Sequence, residues 1–385
     1  MRIGLVLDHF DPLRGGLEQW THQFARRLTG AGHEIHLVAR SFGESAHQMK
    51  ARIHQLPPTR KRTENADAAA EVLKKLSLDV IHDMGVGWYC DVFQPHGGSR
   101  IASGEHNLLS RPAWQRPLKR YFNRLSPRHR DFRRLLARQY ETDGKYIIAL
   151  SRMVSGHMEK YHRVSPARLR LIYNGVNVER FTPDNSEKYR EATRSRLGLK
   201  NETLLLIVAH NFRLKGVSTL LRALSRLMEQ GHAVHLAIAG GKHIAPYRLL
   251  AHQLGVDRAV TFLGPVADPV PYYAAADVYV QPTFYDPCSL VVLEALSSGL
   301  PVVTSRYNGA GELMSPGREG YLISDPSNAP SLAEALEPLM ESRRRETMSQ
   351  AARQLALQHT FNHNIREILA VYDEVLQAKR GTAAA

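Results

Sequence analysis

Residues 277–305, DVYVQPTFYDPCSLVVLEALSSGLPVVTS, read as strand, loop, helix, turn and strand. DVYVQP and PVVTS are short, β-branched and apolar without alternation, the pattern of parallel strands covered on both faces. Between them Ser289 stands where it can cap a helix that begins at Leu290, and a Gly-Leu-Pro turn returns the chain to the second strand. A strand, a crossover helix and a second parallel strand form the repeating unit of an α/β fold.

The same alternation extends in both directions. Upstream strands are RIGLVL (2–7), EIHLVA (34–39), DVIHD (79–83), VFQPH (92–96), YIIALS (146–151) and RLRLIY (168–173). After a break come TLLLIVAH (203–210), AVHLAIAG (233–240), AVTFLG (259–264), the two strands already quoted, and GYLI (320–323). Helices lie between them: Trp20, Phe24 and Leu28 recur at helical spacing in the first, and Leu220, Leu221, Leu224 and Leu227 do so after Gly216. The break, NGVNVERFTPDNSEKY (174–189), gathers Asn, Gly and Pro. Two Rossmann-like domains, 1–180 and 181–360, are expected to face each other across a cleft, with ligands at the carboxyl ends of the strands. A last helix over 361–378 carries Ile365, Leu369, Tyr372 and Leu376 on one stripe and is expected to pack back on the first domain, and the GTAAA tail is expected to be disordered.

A length of 385 residues favours two domains, and 43% apolar with 23% charged residues is ordinary for a soluble globular chain. Cys90 and Cys288 are too few and too far apart for a disulfide framework or a Cys-based metal site, and suit a reducing cytosol. No apolar run reaches the roughly 18 residues of a membrane span, and MRIGLVLDHF reads as a first strand, not a signal peptide. The formal charge is +14, and residues 100–138 hold eleven cationic side chains against Glu105 and Asp131. Such a segment is a solvated helix face or a surface for anionic partners.

Several positions have the chemistry of a site. Gly15 and Gly16 open a helix and let backbone approach a phosphate or sugar. Their spacing is not G-x-G-x-x-G, which disfavours a dinucleotide binder. His96 ends a strand and precedes Gly97 and Gly98, the place of a ligand-facing residue or of a simple turn His. Arg213 and Lys215 precede a helix whose dipole they oppose, an arrangement that makes sense if an anion is shared among them; solvated loop charges are the plainer reading. Glu294 sits inside the apolar run 290–296, where an unpartnered carboxylate is costly. It can accept hydrogen bonds from paired sugar hydroxyls or form a structural salt bridge. Asp286, in the loop before that helix, can reach a second sugar.

These features resemble the retaining glycosyltransferases of family 4, which have the GT-B fold and carry a Glu–x7–Glu pattern followed by a small-residue helix. Here the pattern is Asp286–x7–Glu294, followed by ALSSGLP to Pro301. The Gly15 loop, His96, YNGVN (173–177), the Arg213/Lys215 loop, TFLG (261–264) and AAADVYVQPT (274–283) extend the match, and LKGVSTLLRAL (214–224) is similar to lipopolysaccharide-core hexosyltransferases.

The resemblance implies a role for each of these positions. Glu294 would hold the nucleotide ribose, and Asp286 the donor sugar. The amides of Cys288, Ser289 and Leu290 would face the diphosphate and sugar, and Arg213 and Lys215 would neutralise the leaving diphosphate. His96 would lie beside the anomeric carbon, Gly15 and Gly16 would touch phosphate or acceptor, and Gly264 would bracket the base. Asp286 replaces the usual first Glu, while Pro287 and Ser289 stand where glycines are common.

No Asp-x-Asp cluster for a metal ion occurs, so no metal and no cofactor beyond a nucleoside-diphosphate sugar, with UDP favoured, is expected. Retention at the anomeric carbon is implied by the resemblance. In residues 100–138, Trp114, Leu118, Tyr121, Phe122 and Leu125 interleave with the cations, a composition suited to an anionic membrane face. The expectation is a hexosyltransferase acting on a glycan or lipid-linked acceptor in lipopolysaccharide or other envelope synthesis. It would be cytoplasmic and peripheral on the inner face of the membrane. A sugar-nucleotide epimerase on the same fold is the alternative; a nucleic-acid binder would explain the charge but not Glu294, and no nucleic-acid partner is expected.

Overall fold

The computed structural model describes residues 1–141 and 144–384. The chain divides into two compact units. The first comprises Met1–Gly104, Ala113–Ile172 and Ile365–Ala385, and the second Glu105–Pro112 and Tyr173–Asn364.

The first unit holds a seven-stranded parallel sheet of β1 (Arg2–Val6), β2 (Glu34–Ala39), β3 (Arg52–Gln55), β4 (Val80–Asp83), β5 (Val92–Phe93), β6 (Tyr146–Ala149) and β7 (Leu169–Leu171). Their spatial order is β3-β2-β1-β4-β5-β6-β7. Ile3 pairs with Ile35 on one side and with Val80 on the other, both in parallel, so the order of strand addition reverses at β1 and the helices fall on both faces. The second unit repeats the plan with β8 (Thr203–Val208), β9 (Val234–Ala239), β10 (Val260–Gly264), β11 (Val278–Gln281), β12 (Val302–Ser305) and β13 (Gly320–Ile323), ordered β10-β9-β8-β11-β12-β13. Every strand expected from the continuous apolar runs is present. β3 was not expected: RIHQ is polar at three of its four positions, as a short edge strand can be when only part of it meets the core. A ribbon pairing His9–Phe10 with Ser41–Phe42 is too short to leave a pattern.

The helical stripes pack as their spacing requires. Trp20, Phe24 and Leu28 of the Gly16–Gly30 helix are buried, as are Leu220, Leu221, Leu224 and Leu227 of the Val217–Glu229 helix. Each fully buried leucine contributes roughly 1.5–3 kcal/mol against exposure. The last helix runs Phe361–Ala384, through most of the tail expected to be disordered; Ala385 lies outside the described residues. Alanine is the strongest helix former, and Lys379 anchors this end by donating to the Asp79 carbonyl at 2.9 Å and the Asp91 carboxylate at 2.8 Å. Deeper in the first unit, Tyr372 of this helix shares a buried 2.7 Å hydrogen bond with His82 of β4.

Among the described residues, no helix is long and apolar enough to cross a membrane. Nor does any group of three or more His, Cys, Asp or Glu among them gather to hold a metal ion.

Candidate functional site

In the second unit the chain gathers most of the expected positions at the carboxyl ends of β8 and β11. Gly216, at φ 74°, precedes the Val217–Glu229 helix, and a Cβ there would stand 2.2 Å from the Pro282 carbonyl oxygen. Only glycine permits both the left-handed backbone and that approach. With the two loops pressed together, the Leu214 carbonyl accepts from the Phe284 amide at 2.8 Å and the Thr283 hydroxyl at 3.2 Å. The result places the Lys215 ammonium on the Asp286 carboxylate as an ion pair. The Asp286 backbone is fixed from the other side, its amide donating to Tyr307 and its carbonyl accepting from Gly309, both at 2.9 Å.

Arg213 is not a solvated loop charge. Its Nη2 donates to Asn107 Oδ1 at 3.1 Å, while Nε is buried without an acceptor. Burial, then the nearby Arg111 charge, lowers its pKa. A half-buried guanidinium beside a second cation gains from an incoming anion. Asn107 and Arg111 belong to Glu105–Pro112, which clusters with this unit although it precedes it by more than sixty residues. The same segment brings His106, whose ring stacks on Tyr285 at 5.4 Å and leans on Tyr307 at 4.7 Å.

Ser289 occupies the N-cap position of the Leu290–Ser297 helix, but its hydroxyl does not cap it. Its hydroxyl donates instead to Gln281 Oε1 at 3.0 Å, and its amide donates to Asn308 Oδ1 at 3.3 Å. This corrects the capping expectation: Gln281 is a buried acceptor that outcompetes the helix end, so the Ser289 hydroxyl leaves the first-turn amides to other acceptors. Cys288 offers only backbone, because burial pushes its thiol pKa up and its carbonyl accepts from Asn174 at 2.7 Å.

Glu294 has a partner that sequence reading did not supply. The Tyr273 hydroxyl donates to Glu294 Oε2 at 2.9 Å, and the carboxylate forms no ion pair among the described residues, which removes the salt-bridge reading. Burial pushes its pKa up to about 7, only partly offset by the Tyr273 hydrogen bond and the Arg180 charge. Gly264, at φ 68°, closes β10, and its carbonyl accepts from the Gly240 amide at 2.6 Å.

Gly15, Gly16 and His96 lie in the first unit. Gly15 is the N-cap of the Gly16–Gly30 helix in extended backbone, which leaves the first-turn amides open. His96 follows β5, with its ring 4.6 Å from that of Trp20 in the same helix. Burial lowers its pKa to about 3, so the imidazole is neutral, and its Nε2 is buried without a partner.

The family described as Glycosyltransferase Family 4 matches residues 14–180, and that described as Glycosyl transferases group 1 matches residues 189–355. A D-inositol 3-phosphate glycosyltransferase of Corynebacterium aurimucosum is 27% identical over 98% of this chain and 96% of its own. The structure of WaaG, a glycosyltransferase involved in lipopolysaccharide biosynthesis, superposes with a TM-score of 0.81 at 22% identity over 97% of this chain and 99% of its own. Anabaena HepE in complex with UDP and glucose does so with 0.74 at 21% identity, over 97% and 100%.

Proposed function

The chain belongs to the glycosyltransferases that join a Family 4 domain to a group 1 domain, and from that membership we propose a retaining, metal-independent hexosyltransferase acting on a glycan or lipid-linked acceptor. As a glycosyltransferase it draws its sugar from a nucleotide donor. Neither the epimerase nor the nucleic-acid reading gains support from the relatives.

Glu294 carries the donor assignment. A carboxyl pushed up to about 7 by burial and held by one tyrosine is poised to accept from paired ribose hydroxyls. Asp286 then takes hydroxyls of the sugar, and Gly264 lies against the base. The acceptor hydroxyl attacks the anomeric carbon on the face from which the diphosphate departs. Its proton passes to the leaving diphosphate oxygen as the old C–O bond breaks and the new one forms. Arg213 and Lys215, with the first-turn amides of the Leu290–Ser297 helix, neutralise the charge that develops on the leaving group. Neutral His96 contributes a hydrogen bond beside the sugar and no charge. UDP is the favoured nucleotide, a reading supported by the UDP and glucose named for HepE.

Acceptor chemistry is argued from the basic stretch. The Gln115–Leu125 helix has no buried residue, and Leu118, Tyr121, Phe122 and Leu125 are each more than half exposed among its cations. Such a face suits an anionic membrane surface, which supports a lipid-linked, envelope-type acceptor such as lipopolysaccharide at the inner leaflet, reached from the cytoplasm.

A thermal-shift panel of UDP-, GDP- and ADP-linked hexoses tests the donor site. The right donor stabilises the wild type, and Glu294→Ala loses most of that shift; an undiminished shift removes Glu294 from the site. NMR of the product anomer tests retention.

A further inference from the structure

In the first sheet His82 of β4 is paired with Val92 of β5, and the Gln94 amide, two residues on, donates to the Asp83 carbonyl at 2.8 Å. Side chains two apart along a strand share a face, so His82 and Gln94 lie on one side of the sheet. Both are fully buried. The Gly16–Gly30 helix covers that side: Phe24 meets the His82 ring edge-on at 6.0 Å, and Trp20 lies 4.6 Å from the ring of His96.

Four buried atoms of these side chains have no hydrogen-bond partner: His82 Nε2, Gln94 Nε2, Gln94 Oε1 and His96 Nε2. Burial, then the His96 ring, lowers the His82 pKa to about 3, with the Gln94 side chain opposing, so both neighbours are felt at His82. Each orphaned group is costly alone, whereas one amide set between two imidazoles satisfies all four atoms. We propose that Tyr372, His82 and Gln94 are positioning residues that form a directed hydrogen-bond chain and hold His96 as its Nδ1–H tautomer. The consequence for catalysis rests on the placement of His96 beside the sugar.

Direction in the chain follows from Tyr372. Its hydroxyl is buried, which holds its pKa well above the ordinary value, and His82 Nδ1 at 2.7 Å is its one hydrogen-bond partner among the described residues. A neutral phenol with one partner donates to it or leaves its own proton orphaned. His82 Nδ1 is therefore the acceptor, and His82 Nε2 carries the ring hydrogen. Its acceptor is Gln94 Oε1, which turns the Gln94 NH2 toward His96 Nε2. With Nε2 accepting, the His96 proton sits on Nδ1. His96 is neutral and half-buried with Nε2 inward, so Nδ1–H is the donor that remains for a ligand. No proton changes owner at any link; the chain sets orientation and tautomer.

Long-range ¹H–¹⁵N spectra of the full chain labelled at histidine, with His96 assigned through His96→Gln, read the tautomer without any substrate. Wild-type His96 should show a protonated Nδ1 and a bare Nε2. Tyr372→Phe and Gln94→Met keep the packing and remove a link, so both should mix the tautomers. Each should also lower kcat about tenfold, the scale of one hydrogen bond, with donor KM and the donor-induced thermal shift little changed. Phe24→Leu loosens the same core without removing a polar group; it should lower melting and leave the tautomer in place. A wild-type His96 protonated on Nε2 overturns the proposal, as does a tautomer that moves in neither chain variant or moves equally in Phe24→Leu. If the tautomer mixes as expected but His96→Ala turns over as fast as the wild type, the chain stands and the placement of His96 beside the sugar fails alone.

Discussion

Lys215 and Asp286 stand 71 residues apart in the chain, and their side chains form an ion pair. One is the expected partner of the leaving diphosphate and the other of the sugar, so without donor each occupies the other. The pair holds both side chains in place, and its Coulomb energy must be replaced when the donor's diphosphate takes the ammonium.

Removing the cation should therefore act on the chemical step. Lys215→Met is expected to lower kcat by roughly 10²- to 10³-fold, the scale of losing one preorganised charge, with a smaller change in donor KM. Asp286→Asn should retain diphosphate affinity and relax discrimination among hexoses. Steady-state kinetics on the donor found by thermal shift decides it; an unchanged kcat in Lys215→Met would place that lysine outside the transition state.

Glu294 should give stability a pH signature. Its folded pKa of about 7 lies above the ordinary 4.5, so the folded chain holds a proton that the unfolded chain has released. Its contribution therefore weakens as pH rises from about 4.5 through 7, and the penalty is complete above that window. Glu294→Gln should match the wild type near pH 4.5 and exceed it at pH 8 by up to roughly 3 kcal/mol. Donor affinity should move the other way, rising as the carboxylate ionises. Melting curves of both proteins at acid and alkaline pH provide the check, and a pH-independent difference would contradict the burial argument.

Gly216→Ala should separate the two loops. Left-handed strain and the 2.2 Å approach to the Pro282 oxygen together should cost about 2 kcal/mol or more and abolish most of the donor-induced shift. Gly231, at φ 87° with open space around it, is the control: Gly231→Ala should cost about 1 kcal/mol and leave the donor shift intact. Chemical denaturation with and without donor distinguishes them.

The exposed aromatic face offers a separate test. Because the Gln115–Leu125 helix buries nothing, Tyr121→Ser/Phe122→Ser should leave melting unchanged. Affinity for anionic vesicles should fall about tenfold, most clearly at high salt, where the remaining cations are screened. Vesicle sedimentation at two salt concentrations measures it, and equal sedimentation of variant and wild type would move the contact elsewhere.

The strands were legible because a parallel strand buried on both faces must be apolar throughout, whereas Arg52–Gln55, at an edge, carries no such obligation. Glu294 was legible for the complementary reason: a carboxylate in an apolar helix demands an explanation. What answers the demand, the Tyr273 hydroxyl, lies 21 residues away and follows from no local rule. Sequence likewise offered Ser289 as a cap, since the residue type and position suit one; the buried Gln281 oxygen, brought near by the sheet, took the hydroxyl instead.

By itself the sequence determined the two Rossmann-like folds and the family, and it nominated the residues proposed to meet a nucleotide sugar, because these depend on periodicity, glycine placement and residue chemistry along the chain. Tertiary structure decided the pairings: Lys215 with Asp286, Arg213 with Asn107, and His106 against Tyr285. It also brought Tyr372 of the last helix onto His82 of β4, since direction in space, unlike composition, is set only when the chain packs.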